Sequence, residues 1–379
     1  MKNLGLITPC YTADTSGVCS MLYELGGMVI VHDASGCNST YTTHDEPRWT
    51  KIKSMIYISA FTELDAVMGN DEKLIADICA AAADQHPRFI AVCGSPMPMM
   101  TGVDFDAIGT EIELRTGIPT LALHTTGTHS YLEGASEALL AYVKRFVSYS
   151  SDKITNGVNI LGATPLDHTA ETVMQSIRGW LGQYGLQQVA CFCMGDTPEM
   201  LADAGKAAVN LVISQSGIEA AEYMRRQFGI PYLCGVPYGV KYAEQLAQNL
   251  HRIINKEPIQ TVERGQQYDT VIIGEGIQSV SLADALYTDH GIHCKVICPL
   301  PAAKGILTNP DQYLYAEEDI QAEIAADIPK TVIADGLYQP LVPKEIRFIN
   351  LPHYAFSGRC FENGFMNLIN RNIEEQLYD

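Results

Sequence analysis

Three cysteines sit in turns of small residues in the first quarter of the chain: Thr8-Pro9-Cys10, His32-Asp33-Ala34-Ser35-Gly36-Cys37 and Val92-Cys93-Gly94-Ser95-Pro96. The latter two follow short apolar runs that read as strands. Both thiols then emerge at strand ends, where backbone turns bring residues distant in sequence around one inorganic core. The spacing is too long for a zinc ribbon, and paired Cys-x-x-Cys hairpins are lacking. Three soft thiolates in this pattern favour an iron–sulfur cluster over zinc, so Cys10, Cys37 and Cys93 are the candidate metal and cofactor ligands. Any one of them alone would be read as a small buried hydrophobe; the set of three reverses that.

The remaining cysteines divide by position. Cys79 shares a helical face with Ile75 and Ile78 and belongs to the core. Cys191 with Cys193, and Cys294 with Cys298, fall at same-face positions of strand-like runs and read as packing. Cys234 and Cys360 follow strand-like runs and precede turns, where open α/β sheets place ligands, so a second cofactor or substrate role stays open for both. Eleven cysteines without regular spacing fit ligands plus buried thiols in a reducing compartment better than a disulfide framework. Three histidines are candidates for tuning or proton transfer: His32 at a strand end, and His124 and His129 flanking a Thr-rich turn. Each has an ordinary structural reading beside it. Trp49, after Arg48, is a candidate for a surface that meets a partner.

These residues need a scaffold, and the chain supplies one in three stretches. Its 379 residues exceed one core, and β-rich apolar runs alternate with amphipathic ones throughout, as in parallel sheets covered by helices. Strands are predicted over residues 28–32, 55–60, 88–93 and 119–124, and helices over 70–83, 104–116 and 131–147. Polar stretches at 148–157 and 255–267 interrupt the pattern, giving domains 1–153, 154–262 and 263–379. The middle stretch predicts strands at 158–162, 188–193, 210–214 and 231–234 and helices at 168–181, 217–227 and 241–254. The last opens with a strand at 268–274 and a helix at 279–289. The fold class is α/β: three doubly wound, Rossmann-like parallel-sheet domains around a central cleft.

A net charge of -19 without clustered Lys and Arg argues against nucleic-acid or anionic-membrane partners. No signal segment or bilayer-length apolar run is present, so a cytoplasmic protein is expected. Gly274-x-Gly276 after a strand lacks the third glycine of a dinucleotide fingerprint, and there is no P-loop, so an ATP-driven step must come from a partner.

The cysteine pattern resembles the component 1 family of nitrogenases and nitrogenase-like reductases, including the dark-operative protochlorophyllide and chlorophyllide reductases. His32-x-x-x-Gly36-Cys37 is similar to that family's cluster turn, with Cys10 at about the expected separation. The segment from Thr62 to Leu74, with Gly69 and Glu72-Lys73-Leu74, resembles another family segment, and Cys93 followed by Gly102-Val103-Asp104 resembles a third. Similarity continues through residues 119–134 and is visible again from Asn210-Leu211-Val212 to Phe228-Gly229-Ile230-Pro231-Tyr232. The departures are equally informative. Residues 210–217 contain no cysteine, and Ser357-Gly358-Arg359-Cys360-Phe361 contains no histidine, where nitrogenase holds its catalytic metallocluster.

The resemblance implies an iron–sulfur oxidoreductase subunit that receives low-potential electrons from an ATP-dependent iron protein and reduces a small molecule or cofactor other than dinitrogen, with no molybdenum cofactor. The cluster is either a P-cluster-like eight-iron, seven-sulfur group pooled across a homodimer or a heterodimer with a paralogous subunit, or a four-iron, four-sulfur group with a fourth ligand, for which Asp14, Cys19 and Asp33 are candidates. Two other readings stand beside it: a non-catalytic metallocluster scaffold or maturation protein, and a metal-free small-molecule binder.

Overall fold

The computed structural model describes residues 12–34, 45–170, 172–361 and 364–377. Cys10 and Cys37 lie outside the described residues. The first sheet comprises β1 (Met28–His32), β2 (Met55–Ile58), β3 (Ile90–Gly94) and β4 (Thr120–Leu123), accompanied by α1 (Asp14–Leu22), α2 (Glu63–Met68), α3 (Asp71–Gln85), α4 (Pro96–Thr101), α5 (Phe105–Thr116) and α6 (Tyr131–Phe146). The second comprises β5 (Gly157–Leu161), β6 (Gln187–Cys191), β7 (Val209–Val212) and β8 (Tyr232–Cys234), with α7 (Val173–Gln183), α8 (Pro198–Ala202), α9 (Ile218–Phe228) and α10 (Lys241–Ile254). The third comprises β9 (Thr270–Ile273), β10 (Cys294–Cys298), β11 (Gln312–Tyr313), β12 (Thr331–Ala334) and β13 (Arg347–Asn350), with α11 (Gly276–His290), α12 (Glu317–Asp327), α13 (Tyr354–Ser357) and α14 (Ile373–Leu377).

Strand orders are β2-β1-β3-β4, β6-β5-β7-β8 and β11-β10-β9-β12-β13, and all the strand pairings are parallel. This is the α/β class that the alternation of runs predicts. The inner strands β1, β3, β5, β7, β9, β10 and β12 are buried along their whole length, because helices cover both faces. In each sheet the strand order reverses once: between β1 and β3, between β5 and β7, and between β9 and β12. Beyond the carboxyl ends at those three points the connections diverge, leaving a crevice where ligands bind in open α/β sheets.

Local chemistry sets the helix ends. Thr62 and Asp65 form a reciprocal capping box at α2. Asp104 accepts from the Ala107 amide at the start of α5, and Gly117 closes that helix at φ 69°. Helix α1 crosses α6 backbone to backbone: a Cβ on Gly17 would overlap the Tyr131 carbonyl, and one on Gly134 would overlap that of Asp14. One buried apolar cluster joins the first and second sheets through residues such as Leu139, Val143, Leu161 and Leu211. Tyr131 and Leu132 of α6 pack instead with Val271, Cys298 and Tyr354 of the third sheet's surroundings. Among the described residues no helix is long and apolar enough to cross a membrane.

Three expectations are corrected. Helix α7 begins at Val173 rather than at residue 168, because Thr164, Asp167 and His168 spend their side chains on a buried network instead of a helical first turn. Cys193 does not alternate with Cys191 on one strand. The strand ends at Cys191, and Cys193 sits at φ 91°, with its carbonyl accepting from Arg48 at 3.1 Å. Arg48 is buried, paired with Glu24 and Glu46 and stacked over Tyr23, so it belongs to the interior, while Trp49 beside it is exposed.

Candidate functional site

The switch point of the first sheet is a thiol edge. Val31 of β1 pairs with Cys93 of β3, and His32 with Gly94, so Asp33 and Ser95 leave the sheet side by side. Cys93 is fully buried, and burial pushes its thiol up to about 12. Gly94 is required here because a Cβ would come 2.7 Å from the Thr125 carbonyl oxygen, while the Thr125 hydroxyl donates to the Gly94 carbonyl at 2.7 Å. Cys19 of α1 is buried too, and burial and the neighbouring Cys93 raise its thiol well above the ordinary value.

The other proposed ligands differ in how far their atoms are committed. Asp14 is spent: its carboxylate accepts from the amides of Thr15, Thr126 and Gly127 at 2.7 to 2.9 Å. Asp33 is spent on one side only. Its Oδ1 accepts from Ala34, and Oδ2 is buried without a partner among the described residues. The hydroxyl oxygens of Thr15 and Ser95 are in the same condition. Two of these unspent groups, on Asp33 and Ser95, leave the first sheet at the strand ends next to Cys93, and each unpaired buried group costs about 1–3 kcal/mol unless something completes it.

The histidines of the first sheet have structural roles. His32 hydrogen-bonds Ser59 through Nδ1 at 2.7 Å and packs edge-on against Phe61, and burial lowers its pKa to about 4. His124 and His129 do not line the cleft. His124 is exposed between Glu137 and Asp106, and His129 is exposed beside Asp14 and Glu133. Cys234 and Cys360 also lie apart from the cavity described next: Cys234 is half-buried at the end of β8, and Cys360 is exposed.

The switch points of the second and third sheets face one another across a cavity of about 80 Å³. Asp167, from the turn after β5, is its centre. Its Oδ1 accepts from Tyr131 Oη at 2.5 Å, His353 Nε2 at 3.2 Å and Gln278 Nε2 at 3.3 Å, and its Oδ2 from Ser214 at 2.6 Å and Thr164 at 3.0 Å. Burial acts to raise its pKa, but these donors, His353 foremost, hold the carboxyl below the usual value. Glu275 caps α11: its oxygens accept from the amides of Gln215 and Gln278 at 3.0 and 2.9 Å. Its own carboxylate therefore fills the helix N-terminus that a dinucleotide phosphate would take after Gly274-x-Gly276. Burial, with Asp167 nearby, raises Glu275 to about 7. Asp335, at the end of β12, accepts from the His353 amide and the Ser357 hydroxyl. An apolar wall of Ile272, Leu351, Phe365 and Leu368 closes the space.

Residues 16–273 match the sequence profile of the nitrogenase component 1 type oxidoreductases. The chain belongs to this family. Among curated relatives it is 26% identical over 245 residues to the nitrogenase iron-molybdenum cofactor biosynthesis protein NifE of Clostridium pasteurianum, covering 63% of this chain and 52% of that protein. It is 21% identical over 262 residues to a subunit of the light-independent protochlorophyllide reductase of Angiopteris evecta, covering 59% and 51%. The chain thus spans about half the length of these curated relatives. In fold, this family member aligns with the solved structure "Nitrogenase Cp1 at pH 6.5" at a TM-score of 0.69 and 16% identity, over 93% of this chain and 87% of that one.

Sequence reasoning reaches Cys93 but not Asp167, Tyr131, Glu275, Gln278 or His353. The signal available is position: Asp167, Glu275, Asp335 and His353 all follow apolar strand-like runs, where parallel sheets present ligand-facing side chains.

Proposed function

We propose that this chain is a subunit of a nitrogenase-like reductase, in which Cys10, Cys37 and Cys93 hold an iron–sulfur cluster and a small molecule other than dinitrogen is reduced in the cavity around Asp167. The cluster, of four or eight irons, lies between two copies of the chain or between this chain and a paralogue, and low-potential electrons come from an ATP-dependent iron protein. When bound, the cluster supplies single-electron transfer at low potential. In this reading the chain has three domains, 1–153, 154–262 and 263–379, with the thiol edge belonging to the first and the cavity to the second and third.

The observation that carries this reading is Cys93, a buried thiol at the crevice of the first sheet, with unspent groups on Asp33 and Ser95 at the adjoining strand ends. The thiol and the Ser95 hydroxyl fit a cluster: the hydroxyl can donate to sulfide or thiolate sulfur, an outer contact that orients and tunes such a group. An exposed apolar surface supports the partner. Leu64, Val67 and Met68 of α2 adjoin Met97, Met99 and Met100 of α4, and exposed methionine-rich patches serve protein docking. The similarity to a protein named for cofactor biosynthesis favours the scaffold reading as an alternative.

Anaerobic purification with iron and sulfide analysis and electron paramagnetic resonance tests the cluster, and Cys93→Ser should bring iron to background while the chain stays folded by circular dichroism. Turnover is then assayed with an iron protein, ATP and a low-potential reductant. Cluster transfer to an acceptor without electron consumption supports the scaffold. Iron-free protein after anaerobic reconstitution, unchanged by Cys93→Ala, rules out both.

A further inference from the structure

Several titratable groups border the cavity. Glu275 has both oxygens on backbone amides. Asp335 is held by the amides of Leu337 and His353 and the hydroxyl of Ser357. Asp167 accepts five hydrogen bonds. His168 contacts the Ile213 carbonyl through Nε2, and burial lowers it to about 4, so it stays neutral near pH 7. The Tyr131 hydroxyl is given to Asp167, and Tyr238 reaches Gln278 at 3.4 Å.

His353 differs from all of these. Its Nε2 faces the Asp167 carboxylate at 3.2 Å and the Gln278 amide nitrogen at 3.5 Å; the shorter contact is to a group that only accepts, and it assigns the hydrogen to Nε2, with the Gln278 amide given to Asp167 instead. The opposite nitrogen, Nδ1, is buried and has no partner among the described residues. The ring is held between Tyr131 and Phe356, with centroids at 6.2 and 4.7 Å, and its own backbone amide is tied to Asp335. An imidazole oriented by a buried carboxylate, in the wall of a cavity and with its second nitrogen buried and unpartnered, is the arrangement of a residue that exchanges a proton with a ligand.

We propose that His353 is the proton-transferring residue of the cavity, acting through Nδ1, with Asp167 as its positioning residue; this rests on the reading that a small molecule is reduced there. In the transfer the Nδ1–H bond breaks and a bond from that hydrogen to the ligand forms. The imidazole is left neutral with Nε2–H still on Asp167, and a proton from water restores it. The same geometry restricts the ligand class. Asp167, Glu275 and Asp335 all border the cavity, so an anionic ligand is repelled. The accepting atom belongs to a neutral group with a lone pair, such as an imine or a ring nitrogen.

The experiment is a pH titration of the full chain carrying 15N-labelled histidine, followed by NMR, which needs neither metal nor electrons. Among the ten histidines, the resonances lost in His353→Gln identify the residue. The expected result is an Nε2 that stays protonated while Nδ1 goes from unprotonated to protonated as pH falls. Asp167→Asn should let the neutral ring populate both tautomers, because the acceptor that holds the hydrogen on Nε2 is weakened. A neutral His353 with Nδ1 protonated and Nε2 bare overturns the proposal; so does an unchanged tautomer in a folded Asp167→Asn. If that variant does not fold, the tautomer of the unaltered chain decides. Failure of the reductase reading would appear as absent turnover with this titration intact.

Discussion

Glu275 offers a test of the cleft's electrostatics that is independent of any ligand. Its carboxyl is raised from 4.5 to about 7, first by burial and then by Asp167. The folded chain therefore binds a proton there between those values that the unfolded chain has released, and stability falls as pH rises through that window. A rise of that size corresponds to about 3 kcal/mol, fully present below pH 4.5 and lost above about 7. Glu275→Gln keeps the shape and removes the charge. It should therefore gain on the parent chain by about 3 kcal/mol as pH goes from about 4.5 to about 8, on top of a constant offset of about 1 kcal/mol for the acceptor it loses. Asp167 does not interfere. Its carboxyl is held below the ordinary value of 3.8, so its contribution is present above that value and is lost only at more acid pH. The assay is urea unfolding of both chains at matched pH, followed by tryptophan fluorescence and compared by midpoint at unchanged slope. A gap that stays constant across the window refutes the account of a buried, neutral-leaning Glu275.

Two shorter predictions concern the frame. Arg48→Met leaves Glu46 buried without its guanidinium and should cost about 3–5 kcal/mol, lowering the melting temperature by about 6 °C or more. Adding Glu46→Gln should restore part of that loss, which a packing defect alone would not show. Thr62→Ala removes the α2 cap that accepts from the Asp65 amide at 3.2 Å. It should cost about 1 kcal/mol, seen as roughly fivefold faster hydrogen exchange at the first amides of α2 with α3 unchanged.

The parts of the fold that a reader of the sequence can find are those where one local pattern suffices. Lys241–Ile254 has a strong apolar stripe and is a helix over the expected span, and Met28–His32 is a strand as predicted, since its unbroken apolar run suits burial on both faces. Helix α1 is hidden in the sequence because every residue from Asp14 to Leu22 is buried, which erases the polar face that makes a helix visible. The start of α7 and the end of β6 are set by tertiary contacts that no local pattern carries: Asp167 with Ser214, and Arg48 with the Cys193 carbonyl, 145 positions away. The site follows the same division. Cys93 stands out by its strand-end turn, whereas His353, Asp167 and Tyr131 are ordinary polar residues until folding brings them together.

The close crossing of α1 and α6 has a mechanical consequence. Where two helices touch through glycine backbone rather than side chains, there is no soft layer to absorb a displacement, and the pair moves as one lever. One end of that lever holds the thiol edge, through Asp14 and its grip on the Thr126–Gly127 amides. Its fulcrum is the Gly17–Gly134 crossing, and the hydroxyl of Tyr131 hooks it to Asp167. Tyr131 is the first residue of α6 and lies three residues, about 4.5 Å, from Gly134, so a tilt of about 5° about the crossing moves it by only about 0.4 Å. The crossing therefore holds Asp14 and Tyr131 at a nearly fixed separation, so the hydroxyl that meets the cleft carboxylate is positioned by the same backbone contact that anchors the edge of the first sheet.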